Sequence, residues 1–313
     1  MLQMDLKCLE RINFQMNAML IDLQSDMPRI GDITFVYRNP ASIQQRDDRQ
    51  GQYWIPFPTE LSNTKLSTVR SITLPRRQQD TRITGCCILD SGTMIIVGYN
   101  TNRLVEIDKN GLFNNHISLP FRPYDVIQVD TNTVAITSYQ DRKLVLVDIT
   151  LWSFSTIYSG EGCFGLCYED GKFIVLVANN KLRIIDKDGN ILSSINTAGY
   201  ATSCCVTNDA LYYSTQNTDT LHCCDLTGNV VWNKRCNNGD HLFGIAADGD
   251  GKVFATCLSG NKLILFDKIG QYIRVLLTKK DGMNSPRAIC YNKKLNTLLI
   301  CNSLDGRCFV FKT

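Results

Sequence analysis

Long apolar runs are missing from this chain. No stretch approaches the ~20 consecutive apolar residues that a membrane helix needs. The opening MLQMDLKCLERINF is interrupted by Asp5, Lys7, Glu10 and Arg11, so it lacks the apolar centre of a secretion signal. A cytoplasmic protein without membrane contact is expected. Charge of one sign is also scarce: 33 Lys and Arg face 30 Asp and Glu, for a net charge of +3. That balance is too even for bulk attraction to nucleic acid. Histidine is limited to His116, His222 and His241, and no CxxC occurs. Structural zinc sites need paired ligands at short spacing, so no metal and no cofactor are expected. The motifs GxSxG and HExxH and the P-loop are missing too.

Cysteine, by contrast, is plentiful at fourteen residues. Cys86–Cys87, Cys204–Cys205 and Cys223–Cys224 are adjacent within strand-like segments. Neighbours in a strand point to opposite faces, which makes a mutual bridge or a shared metal geometrically poor. The cysteines read as small buried hydrophobes in a reducing compartment.

One phrase recurs six times at intervals of about forty residues: an apolar strand, a second strand, then an alternating strand that ends in aspartate. The third elements are RLVEID, KLVLVD, KLRIID, TLHCCD, KLILFD and RCFVFK, closing on Asp108, Asp148, Asp186, Asp225, Asp267 and finally Lys312. After four of them a glycine (Gly111, Gly189, Gly228 or Gly270) can supply the positive φ of a hairpin. The second unit has Leu151 where glycine is expected. Continuous Val, Ile and Leu runs mark strands buried on both faces. The fold class is therefore mainly β, a six-bladed β-propeller. The sixth unit stops at Thr313 without a fourth strand, and VRSITLP resembles the fourth strand NNHISLP of the first unit. Val69–Leu74 is expected to fill the vacant place and sew the ring shut, leaving no open edge.

Three segments follow: a coiled-coil helix over 1–28, a linker over 29–66 and the propeller over 67–313. Leu2, Leu6, Leu9, Asn13, Met16, Leu20, Leu23 and Met27 alternate steps of four and three, a heptad seam with Asn13 at an a-type position. The seam predicts a homo-oligomer, and because it starts at full amplitude it reads as the tail of a longer helix. The linker carries GDITFVYRNP, the polar run SIQQRDDRQGQ, and an aromatic cluster at Tyr53, Trp54 and Phe57.

With the repeats aligned, HLFGIAADGDGKVFATCLSGNKLILFD (241–267) resembles the NHL phrase closely. PRAICYNKKLNTLLICNSLDGRCFVF (286–311) matches it without the glycine. A coiled coil followed by such a ring is similar to the C-terminal part of tripartite-motif (TRIM) NHL proteins, especially the TRIM-like proteins of molluscs. The resemblance implies a non-enzymatic scaffold, the substrate-recognition part of a TRIM-like ubiquitin ligase. The family's RING and B-boxes need spaced Cys and His ligands, and before Val69 only Cys8 is available. Ligase activity would thus need a RING supplied by a missing N-terminus or by a partner.

In a ring whose strands build the frame, function falls to the loops and the channel. Three successive fourth-to-first-strand connections, counted through the closure, are basic. Arg76, Arg77, Arg82, Arg122, Lys279 and Lys280, with Arg287 just beyond, form an expected basic arc, and Tyr124, Tyr99 and Tyr139 lie near it. The first reading is an interaction face for a protein ligand, with avidity from chain pairing. The second is single-stranded RNA, phosphates on Arg and Lys and bases on tyrosines. A calcium-dependent propeller hydrolase comes third, because the channel ends of the first strands (Ile83, Thr84, Phe164, Gly165, Leu242, Phe243) offer few oxygen ligands. Asp125 is the exception and reads as a loop-ordering carboxylate.

Overall fold

The computed structural model describes residues 64–75, 82–207, 210–236, 239–271 and 273–313. The coiled-coil seam, nearly all of the linker, and Arg76 and Arg77 lie outside the described residues. The rest forms six antiparallel sheets of four strands each, arranged as a propeller.

Blade 1 runs from the centre outward through Ile83–Ile88, Met94–Gly98, Arg103–Ile107 and Phe113–Ser118. Blade 2 is Val126–Gln128, Thr133–Ser138, Lys143–Asp148 and Ser153–Ser159, and blade 3 is Cys163–Glu169, Lys172–Val177, Lys181–Ile185 and Ile191–Asn196. Blade 4 comprises Ala201–Thr207, Ala210–Thr215, Thr220–Asp225 and Val230–Arg235, and blade 5 Leu242–Ala247, Val253–Cys257, Lys262–Phe266 and Ile273–Leu277. Blade 6 combines Pro286–Asn292, Thr297–Asn302 and Arg307–Lys312 with Ser67–Thr73 from the start of the described chain.

Residue type decides radial position. Second strands such as MIIVG are buried throughout, because neighbouring blades cover both faces. The third strand RLVEI alternates partly, and the fourth, FNNHIS, is mostly exposed. The expected closure is present: Ser67–Thr73 pairs antiparallel with Arg307–Lys312, from Ser67 opposite Lys312 to Thr73 opposite Arg307, with a bulge between Thr68 and Arg70. The closing strand starts two residues earlier than expected, and the bulge leaves Val69 exposed. Ile72 and Leu74 drop into the core shared with Ile83, Leu299, Cys301 and Val310.

The turns after the third strands follow the expected chemistry. Asp108 Oδ1 accepts from the backbone N–H groups of Asn110 and Leu112, and Gly111 takes φ 84°. Where Leu151 replaces glycine, the turn is one residue longer: Leu151 donates its N–H to Asp148, and the left-handed residue becomes Trp152 at φ 54°. All thirteen cysteines among the described residues are free thiols.

The inner strands meet at one repeated position. Gly85, Gly165 and Gly244 occupy it in blades 1, 3 and 5, and Asp125, Ser203 and Ala288 in blades 2, 4 and 6. A Cβ on Gly165 would lie 2.7 Å from Ser203 Cα, and one on Gly244 would lie 2.1 Å from the Arg287 carbonyl oxygen. Each glycine thus admits the bulkier neighbour of the next blade. Two of those neighbours then bridge onward: Asp125 Oδ2 accepts from Leu166 N–H at 3.1 Å, and Ser203 Oγ from Ile245 N–H at 3.2 Å. Asp125 is therefore an ordering carboxylate, but it orders inner strands rather than a loop.

Candidate functional site

One residue before that position, each blade contributes a side chain to the loop end of the channel: Thr84, Tyr124 (just ahead of its strand), Phe164, Thr202, Phe243 and Arg287. All six are buried. The Arg287 guanidinium carbon lies 4.0 Å from the Phe243 ring centre and 5.5 Å from that of Tyr124, and Nη2 donates to the Tyr124 hydroxyl at 3.3 Å. Cation–π attraction offsets part of the cost of burying this charge. Burial lowers the Arg287 pKa and raises that of Tyr124. Second-strand hydroxyls hold the layer's backbone in place: Ser214 donates to the Phe243 carbonyl at 2.6 Å and Thr256 to that of Arg287 at 3.1 Å. Together these groups stopper the channel at the loop end.

Outside the stopper lies an aromatic rim. Tyr139 stacks on Phe164 with ring centres 4.5 Å apart, and Tyr200 meets Phe164 edge-on at 5.3 Å. Tyr139 and Tyr200 remain 43% and 40% exposed. Arg122 stands over the Tyr99 ring at 5.7 Å while Nη1 donates to Gln140. Arg82 is exposed, in a left-handed conformation at φ 46°, and its charge reaches Tyr124 and Arg287. Of the sequence-predicted arc, Arg82, Arg122, Tyr124 and Arg287 gather at this end. Arg287 sits inside the stopper rather than on the rim, only 7% exposed. Lys279 and Lys280 are exposed on a short 3-10 turn, Lys279–Asp281. Among the described residues no hydrogen bond or ring contact ties them to the cluster. Tyr200 was not anticipated; its position just ahead of the first strand of blade 4 was the available signal.

Beneath the stopper is a cavity of about 580 Å³, lined by all six inner strands except at Phe164 and its neighbours. Its loop-end walls are buried, whereas Asp130, Thr131, Lys293 and Lys294 at the far end are exposed, so it opens between the turns that join first and second strands. Lys293 pairs with Glu169 at 3.3 Å, joining blade 6 to blade 3 across the mouth, and Lys294 pairs with Asp90 of blade 1. Four blades place a thiol at the same level of the channel wall: Cys87, Cys167, Cys205 and Cys290. Burial pushes Cys290 up to about 12 and raises Cys87 and Cys205 well above the usual thiol range. At neutral pH these are apolar thiols, not nucleophiles. Among the described residues, no three His, Cys, Asp or Glu side chains are grouped so as to hold a metal ion.

Asp125 lines the same cavity. Burial raises its carboxyl to about 7, against the opposing pull of the Val126 and Leu166 N–H groups and of Arg287. A folded-state pKa above the unfolded value of about 3.9 means that the native ring binds the extra proton. Its contribution to stability is complete below about pH 4 and is lost as pH rises to about 7, with an upper bound of about 4 kcal/mol. Melting curves of the parent and Asp125→Asn between pH 4 and 8 should therefore differ in slope, the parent losing more stability with rising pH. Parallel curves would show that the carboxyl titrates normally.

No protein-family model matches this chain, and no curated protein matches it in sequence. Solved propellers do match its fold. Virginiamycin B lyase from Staphylococcus aureus is similar at 14% identity and TM-score 0.60, over 80% of this chain and 100% of that one. A calcium-binding protein, regucalcin, from Agrobacterium tumefaciens matches at 14% identity and TM-score 0.60, over 73% of this chain and 88% of that one. The Cps50 (Swd1) propeller domain of Myceliophteria thermophila matches at 15% identity and TM-score 0.56, over 74% and 82%. At these identities the likeness is one of fold alone.

Proposed function

We propose that this chain is an NHL-type, TRIM-like cytoplasmic interaction protein, and that the loop face of its propeller grips an acidic protein segment. The carrying observation is the exposed pair Tyr139 and Tyr200 seated on buried Phe164, with Arg122 over Tyr99 and Arg82 near Tyr124 at the same end. Tyrosine and arginine dominate interface hot spots because they pair large apolar area with a polar or charged tip. Arg76, Arg77, Lys279 and Lys280 would extend the basic rim along the ligand. Pairing of chains through the 1–28 seam would present two such faces and raise avidity. Non-enzymatic binding, as part of a ubiquitin ligase whose RING is supplied elsewhere, is the reading this favours.

The stacked Tyr139 and Phe164 rings also support a second reading, single-stranded RNA with bases on the tyrosines and phosphates on the arginines. One experiment separates the two: capture of partners from cytosolic extract by the full chain, with and without nuclease, beside a Tyr139→Ala, Tyr200→Ala variant. The expected result is nuclease-resistant protein capture that falls at least about tenfold in the variant, as for hot-spot loss. Nuclease-sensitive capture would replace protein by RNA, and undiminished capture by the variant would remove the loop face from consideration.

A further inference from the structure

The cavity below the stopper lies at the opposite end of the ring from the proposed interaction face, and it has the features of a separate small-molecule site. Its volume of about 580 Å³ falls within the range of ligand pockets. The middle of its wall is apolar, built from thiols, Ile127, Ala246 and Ile289. Its closed end is polar and incompletely satisfied: Arg287 Nε and Thr84 Oγ1 are buried and have no hydrogen-bond partner among the described residues. Buried polar groups without partners are costly and uncommon in native proteins. Arg287 is more than nine-tenths buried, and its guanidinium is met by the Phe243 and Tyr124 ring faces and the Tyr124 hydroxyl, with no ion pair among the described residues.

We infer that this cavity binds a small organic anion, an apolar body bearing one carboxylate, which enters between Lys293 and Asp130 and sets its carboxylate against Arg287 and Thr84. The guanidinium offers the donor geometry that suits a carboxylate, and the threonine hydroxyl supplies a further donor. The thiol-lined walls remove the apolar body from water. Burial raises the carboxyl of Asp125, near the closed end, to about 7, so at neutral pH it is only partly ionised. Lys293 and Lys294 at the mouth are paired with Glu169 and Asp90, so the attraction for an anion comes from Arg287 at the closed end.

Titration calorimetry of the full chain with octanoate, and with octanamide as its neutral counterpart, tests the assignment. The expected result is saturable one-to-one binding of octanoate, at least about tenfold tighter than the amide, the scale of a charge-assisted hydrogen bond. Arg287→Met should erase the preference for the acid, Thr84→Val should weaken the acid more than the amide, and Ala246→Leu should block both by filling the wall. Tyr139→Ala with Tyr200→Ala should leave octanoate affinity unchanged, which separates this site from the loop face. If Arg287→Met does not fold, Thr84→Val and Ala246→Leu carry the test. Absence of saturable octanoate binding, equal binding of acid and amide, or affinity unaltered by Ala246→Leu would each overturn the inference.

Discussion

Leu74→Asp is expected to lower the melting temperature sharply and to make the protein aggregate, although residue 74 stands just beyond a strand of only seven residues. Leu74 is 1% exposed and shares a core with Ile72, Ile83, Leu299 and Cys308, and its N–H reaches the Gly306 carbonyl at 2.9 Å. A buried Leu→Ala change costs about 2–5 kcal/mol, and an unpaired buried charge costs more. That is a large share of a stability of roughly 5–15 kcal/mol. The damage would also be topological. Once Ser67–Thr73 lifts away, Arg307–Lys312 becomes an open edge carrying Cys308, Phe309, Val310 and Phe311, a sequence prone to pair with other chains. Thermal melting with light scattering reads both effects. A variant that melts with the parent and stays monodisperse would show that the ring does not depend on its borrowed strand.

Gly244→Ala should be nearly as severe, for a different reason. The added methyl would stand 2.1 Å from the Arg287 carbonyl oxygen, and both groups belong to strands fixed within their own blades. Thr256 leaves no slack, because its hydroxyl accepts from Gly244 N–H at 2.9 Å and donates to the same Arg287 carbonyl. Blades 5 and 6 must part for the methyl to enter. Overpacking costs typically ~1–3 kcal/mol and more where backbone opposes backbone, so a loss of about 3 kcal/mol or more is expected. Gly249→Ala is the control: it has open space around the new Cβ and should shift stability by less than about 0.5 kcal/mol. Denaturant unfolding of the two variants side by side checks the contrast, and equal midpoints would refute it.

The frame was readable from the residues because repetition carried it. Closing aspartates, turn glycines and the kinship of VRSITLP with NNHISLP each state a local geometry six or fewer times over. The Leu151 turn shows the limit: absence of glycine predicted an irregularity, but only the fold shows Trp152 absorbing the positive φ. The site was less legible. Arg287 follows a basic loop and looks like surface, yet its repeat position is that of Phe243 and Phe164, which face inward. What buries it is Tyr124, 163 residues away in sequence, and no local pattern reports such a partner. The cavity mouth went unread because charges in the first-to-second-strand turns, Asp90, Glu169, Lys293 and Lys294, cancel when summed and matter only when paired.

The borrowed strand also has a meaning in time. Ser67 pairs with Lys312, so some 240 residues separate the two halves of one ladder. At ribosomal rates of about 5–20 residues per second, the first-made strand of the ring waits roughly 12–50 s for its partner to be synthesised. For that interval five complete blades can form while the latch hangs free, its Ile72 and Leu74 without a core to enter. Premature release, or a second nascent ring nearby on the same message, would offer that strand the wrong acceptor. Newly made copies of this protein should therefore be at their most vulnerable just before Arg307–Lys312 emerges to receive the latch.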